Sequence, residues 1–171
     1  MNVVNLVVAL TVLAIQVTKA FIPIEGKEYI IYQTVTIGDK EGKRLLNADV
    51  GYEIVWKEVY FGFVNQLTFL DPVEPTNSSS HWFFEKVDDG YRIKSADTDD
   101  SNLYAFGYFW DRTGRKYITL SKSPNDGAIF NISSNSETFQ LTKENKCITF
   151  TDSYPQWNKD GNCSHFSAQM V

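Results

Sequence analysis

Hydrophobic residues along this chain recur at every second position, in short runs, and not at the ~3.6-residue period of an amphipathic helix. The runs read EYIIYQTVTI, YEIVWKEVYF, NQLTFL, GYRIKS, LYAFGYFW, KYITLS, AIFNIS, TFQLT and KCITFT. Turn-forming residues fall between them: Gly38-Asp39, Asp89-Gly90, Thr113-Gly114, Asp126-Gly127 and Asp160-Gly161. The clearest stretch is HWFFEKVDDGYRIKS, from His81 to Ser95. As a β-hairpin it turns Trp82 and Phe84 to one face and Phe83 to the other, and Asp89-Gly90 supplies a residue comfortable at positive φ. Beyond the turn, Tyr91 and Ile93 face inward while Arg92 and Lys94 meet water. No window carries a helical period with caps at both ends. The chain is predicted all-β, a sandwich or barrel of many short strands.

The pattern repeats. Trp82, Phe84, Tyr91 and Ile93 are matched, at one common offset, by Phe130, Ile132, Phe139 and Leu141. Each set is followed by a further strand, around 103–106 and around 147–150. Tyr29 and Ile31, followed by KRLLNADV, begin a third and longer copy. Three units of about fifty residues fill the chain beyond its first segment.

That first segment is of a different kind. Residues 3–17 are almost wholly apolar, and Thr18-Lys19-Ala20 ends in the small residue that suits signal peptidase. The apolar stretch is shorter than the ~20 residues of a membrane span. Residues 1–20 are expected to be a cleaved secretory signal, the alternative being an uncleaved anchor. Residues 21–171 then form one secreted, extracellular domain large enough for a real core, with no membrane insertion after cleavage. The whole chain carries a formal charge of −5, and cleavage also removes Lys19. An acidic domain argues against nucleic acid or anionic membrane as partner. The basic cluster Arg112, Arg115 and Lys116 surrounds Thr113-Gly114 and reads as a solvated turn. In a secreted chain the two cysteines, Cys147 and Cys163, are expected to form one disulfide. The two histidines, His81 and His165, have no zinc-type spacing to cysteine, so neither metal nor cofactor is expected.

The phrases KRLLNADV, NQLTFL, HWFFEKVDDGYRIKS and TFQLTKENKCITF resemble the rhythm of β-trefoil proteins, and within them the ricin-B-type lectins. The resemblance implies a single β-trefoil of three units; a lipocalin-like eight-stranded barrel is the alternative. The family motifs are degenerate here, because no Gln-x-Trp triplet occurs. Sugar sites of the family combine an acidic residue, an aromatic platform and a polar pair. The resemblance gives these roles to Asp49, Trp56, Asn65 and Gln66 of the first unit. The carboxylate would accept hydrogen bonds from sugar hydroxyls, the indole would stack on a pyranose, and the two amides would orient it. In a second alignment SSSHWFFEK closes the first unit, the set dissolves, and Trp56 is a core or edge aromatic. Later units lack the amide pair, so the resemblance implies at most one weak site.

Other chemistry is sparse. Asp97, Asp99 and Asp100 stand near Tyr104, Tyr108 and Trp110, but the loop lacks the mid-loop Gly and closing Glu of an EF-hand and reads as a solvated acidic tip. There is no Gly-x-Ser-x-Gly, phosphate loop or dinucleotide fingerprint, and an enzyme is not expected. Asn77, Asn131 and Asn162 each begin an N-glycosylation sequon. Three function classes follow: a glycan-binding protein, a structural or storage glycoprotein, and an inhibitor or toxin acting on an extracellular protein. Oligomeric state is not legible in the sequence.

Overall fold

The computed structural model describes residues 20–37, 39–56, 59–70, 80–96, 103–110, 116–121, 123–125, 127–135, 137–151, 154–158 and 161–171. Over these residues the chain is all-β, with twelve strands and no α-helix. They are β1 (Glu28–Ile37), β2 (Lys40–Trp56), β3 (Val59–Leu70), β4 (His81–Val87), β5 (Gly90–Ser95) and β6 (Tyr104–Trp110). They continue as β7 (Lys116–Ser121), β8 (Asn131–Asn135), β9 (Thr138–Lys143), β10 (Lys146–Thr151), β11 (Tyr154–Asn158) and β12 (Ser167–Met170).

Most antiparallel pairs follow the chain, but three contacts skip a hairpin. Tyr29 on β1 pairs with Trp82 on β4. Tyr91 on β5 bridges to Phe130 just before β8, and Phe139 on β9 bridges to Phe166 just before β12. In each bridge the two residues exchange both backbone hydrogen bonds, at 2.9 and 2.8 Å for Tyr91–Phe130 and 2.8 Å twice for Phe139–Phe166. β12 returns to β1 through Tyr29↔Met170 and Ile31↔Ala168. The contacts therefore close a ring, β1-β4-β5-β8-β9-β12, which hides strand edges from water and from other chains. The remaining hairpins β2–β3, β6–β7 and β10–β11 meet one another. Asn65 and Gln66 of β3 pair with Leu120 and Thr119 of β7, whose Tyr117 pairs with Gln156 of β11.

Period-two patterning builds the core from this ring. Ile31, Ile93 and Leu141 each lie two residues beyond a ring contact, and all three are buried. Trp82, Phe130 and Phe166, on the other side of the three contacts, are buried as well. Burying an indole N–H costs free energy unless it is bonded. Trp82 Nε1 meets this need by donating to Leu46 O at 3.0 Å.

The hairpin at 81–95 forms with Phe84 opposite Ile93, but its turn differs from the expectation. Asp88-Asp89 makes the turn, with Asp88 at φ 47°, and Gly90 already pairs with Val87. Glycine is needed at 90 for close approach: a Cβ there would lie 2.5 Å from Ile129 Cγ2 and 2.8 Å from Phe130 O. Arg92 and Lys94, expected in water, are both half-buried, and Arg92 Nε has no hydrogen-bond partner. YEIVWKEVYF is split, since β2 ends at Trp56 and β3 begins at Val59. Residues 1–19 of the expected signal segment 1–20 lie outside the described residues, as do Arg112 and Arg115.

Candidate functional site

The four residues implied by the lectin resemblance lie on one hairpin, Asp49 and Trp56 on β2 and Asn65 and Gln66 on β3. Register sets Gln66 opposite Val50 and Asn65 opposite Gly51. Asp49 precedes that pair, inside a register shift between Asn47 and Val50. Such bulges bend a strand and re-aim its side chains. Asp49, Asn65 and Gln66 are therefore brought together along the backbone. Trp56 is not. It pairs with Val59 at the hairpin's end, and from Val59 to Asn65 the strand runs ~20 Å.

A second polar surface lies on β8 to β11, toward the C-terminus. Antiparallel register sets Asn131 opposite Thr142, Thr142 opposite Cys147, and Cys147 opposite Asn158. Directly opposed residues project from the same face of a sheet. The four therefore form one row across β8, β9, β10 and β11, along a cleft of about 570 Å³. Glu144 and Asn145, at φ 50° and 60°, make the tight β9–β10 turn on its rim. The Cys147–Cys163 disulfide forms, with Cα atoms 5.4 Å apart, and ties the row to the segment at 161–163. Thr142 Oγ1 donates to Asn131 O at 3.4 Å, and Asn158 Nδ2 donates to Asn162 O at 3.3 Å. Sequence reasoning picked out Asn131 and the cysteines but missed Thr142, Asn145 and Asn158. Only the sequon and the cysteine pair pointed toward this region, because cross-strand register is not written in composition.

Among the sequons, Asn131 and Asn162 are exposed and Asn77 lies outside the described residues. Asp97, Asp99 and Asp100 also lie outside them. Tyr104, their neighbour in sequence, is buried. Burial pushes its phenol pKa up, the Glu85 carboxylate adds to the rise, and the Arg92 guanidinium opposes it. Among the described residues no cluster of three or more His, Cys, Asp or Glu could hold a metal ion. The disulfide is compatible with an oxidising, extracellular setting.

No protein-family model and no curated protein sequence matches this chain. Among solved structures it is similar to one described as "Crystal structure of lysenin pore", at 9% identity and a TM-score of 0.43. The likeness covers 90% of this chain and 49% of that one, so the chain spans about half the length of the structure it matches.

Proposed function

We propose that the chain is a secreted β-trefoil glycoprotein that binds glycans weakly, at one site on its first hairpin. The fold reading is supported by the three equivalent contacts Tyr29–Trp82, Tyr91–Phe130 and Phe139–Phe166, and by the three hairpins that meet beside the ring. A lipocalin-like barrel pairs strands that follow one another in sequence, so these skipping contacts speak against it. The site reading rests on one observation: Asn65 and Gln66 stand opposite Gly51 and Val50, beside Asp49. Two amides and a carboxylate in one neighbourhood suit a ligand of dense hydroxyls, which both donates and accepts. Trp56, at the hairpin's end, can join them only if the ligand is an oligosaccharide that reaches it. A single shallow site without multivalent gain corresponds to a Kd of about 1 mM, or about −4 kcal/mol.

A glycan array followed by titration calorimetry tests the reading. Oligosaccharides should bind and their monosaccharides much less, and Gln66→Ala should abolish binding at unchanged Tm. No binding across the array would contradict it. A non-catalytic structural or storage glycoprotein is the second reading, favoured by the distance between Trp56 and the amide pair.

A further inference from the structure

The cleft along β8 to β11 has a chemistry and a position that the first-hairpin site does not use. Its floor is the row Asn131, Thr142, Cys147 and Asn158, which spans three interstrand steps, roughly 14 Å. That length suits two linked sugar rings. One end of the row is Asn131, exposed at the start of β8 and first residue of Asn-Ile-Ser. Phe130 makes the backbone bridge to Tyr91 of β5, while Asn131 itself is exposed, so a bulky group on its side chain does not have to displace that neighbour. From that end the row offers a hydroxyl, the face of a disulfide and a carboxamide. The rim adds the carboxamide of Asn145 and the ammonium of Lys146. Hydroxyl and carboxamide groups match the acetamido and hydroxyl groups of N-acetylglucosamine, while the disulfide gives apolar contact to the C–H face of a ring.

We propose that this cleft is the seat of the chain's own N-linked glycan. The sugar attached at Asn131 folds back along the row and covers the disulfide, with its first two N-acetylglucosamine residues over Thr142 and toward Asn158. Attachment forms a bond from Asn131 Nδ2 to the anomeric carbon of the sugar. The donor is a polyprenyl-diphosphate oligosaccharide; its diphosphate leaves with the bonding electron pair, and the amide loses one proton. Little ordering is needed afterwards. The disulfide, the tight Glu144-Asn145 turn and the covalent tether hold both partners in advance. The inference rests on the chain being secreted, and it is independent of glycan binding at the first hairpin.

The test uses protein secreted from a glycosylating host. Peptide mass spectrometry should find Asn131 occupied. Amide hydrogen exchange at residues 142–147 and 158–163 should be several-fold slower in the intact glycoprotein than after native enzymatic removal of the whole glycan. Trimming to a single N-acetylglucosamine should give an intermediate rate, and Ser133→Ala, which destroys the sequon but keeps Asn131, should match the deglycosylated protein. Thr142→Ala with Asn158→Ala should keep the glycan attached but speed its enzymatic removal from folded protein. Occupancy only at Asn77 or Asn162 in secreted protein would overturn the proposal, and so would exchange that is identical in every glycoform. Failure to reach the medium would instead overturn the secretion reading. Free N,N′-diacetylchitobiose protecting the same amides in a chain unoccupied at Asn131 would reassign the cleft to an external glycan, and likewise overturn the proposal.

Discussion

Phe21 stacks on Phe139 with ring centroids 4.5 Å apart and planes 20° from parallel. The same ring meets Tyr29 at 5.7 Å and Phe84 at 5.6 Å, edge to face. These three partners come from β9, β1 and β4, so Phe21 caps the ring where three of its strands converge. Its backbone N–H donates to Ser134 Oγ at 2.8 Å, and Ser134 Oγ donates onward to Thr138 O at 3.2 Å. The expected cleavage after Ala20 makes Phe21 the first residue of the mature chain.

Phe21→Ala should destabilise the domain by about 2–3 kcal/mol, below the full cost of a core Phe because this ring is half-buried. Ser134→Ala should cost about 1 kcal/mol. Calorimetry measures both, and amino-terminal sequencing of secreted protein should begin at Phe21. An unchanged Tm for Phe21→Ala would show that the ring closes without it.

Gly90→Ala should be disproportionately costly for so small a change. The added methyl meets Ile129 Cγ2 at 2.5 Å and backbone Phe130 O at 2.8 Å, and a carbonyl cannot rotate away. A loss of about 1–3 kcal/mol is expected, with faster amide exchange at Tyr91 and Phe130, whose paired bonds join β5 to the residue before β8. Neutral behaviour of Gly90→Ala would mean that this contact is looser than its geometry.

Much of the ring was legible in the sequence because its strands, β12 apart, bury one face more than the other and so write a period-two signal. Tyr29, Ile31, Trp82, Phe84, Ile93, Phe130, Phe139 and Leu141 announced themselves in this way, and all are buried. β11 and β12 left no such trace. YPQWN carries a proline, and the described residues of SAQM are half-buried or exposed, so neither alternates cleanly. The cleft was harder still. Asn131, Thr142, Cys147 and Asn158 are scattered along the sequence, and only the register of four strands lines them up. For the first hairpin, residue types suggested a sugar set but spacing hid the distance to Trp56, which follows from Trp56 pairing with Val59 while Asn65 pairs with Gly51.

Reduction of Cys147–Cys163 should lower Tm and leave a single cooperative transition. The bond closes a loop with a sequence separation of 16, for which chain entropy gives ~3 kcal/mol. For a domain of this size that is about 6–12 °C. Peptide mapping with and without reductant identifies the pair. Loss of all cooperative structure on reduction would mean that the bond, and not the aromatic core, holds the fold.

Tyr104 should make the fold sensitive to alkali. Its folded pKa is raised by burial first and by Glu85 second, so the neutral phenol is favoured in the native state. The associated stability is present in full below the unfolded tyrosine pKa of ~10 and is lost as pH rises through the higher folded value. Tyr104→Phe should remove this component, giving a flatter fall of Tm as pH rises past the unfolded tyrosine pKa of ~10. Parallel curves for the two proteins would show that Tyr104 ionises as freely folded as unfolded.

The most direct measurement is a two-dimensional amide spectrum of the labelled protein, titrated with an oligosaccharide chosen from the array. Shifts should concentrate at Val50, Gly51, Asn65 and Gln66, extend to Leu120 and Thr119 across the β3–β7 pairing, and disappear in Gln66→Ala. Shifts confined instead to Thr142, Lys146 and Asn158, or none up to several times the expected ~1 mM Kd, would contradict glycan binding at the first hairpin.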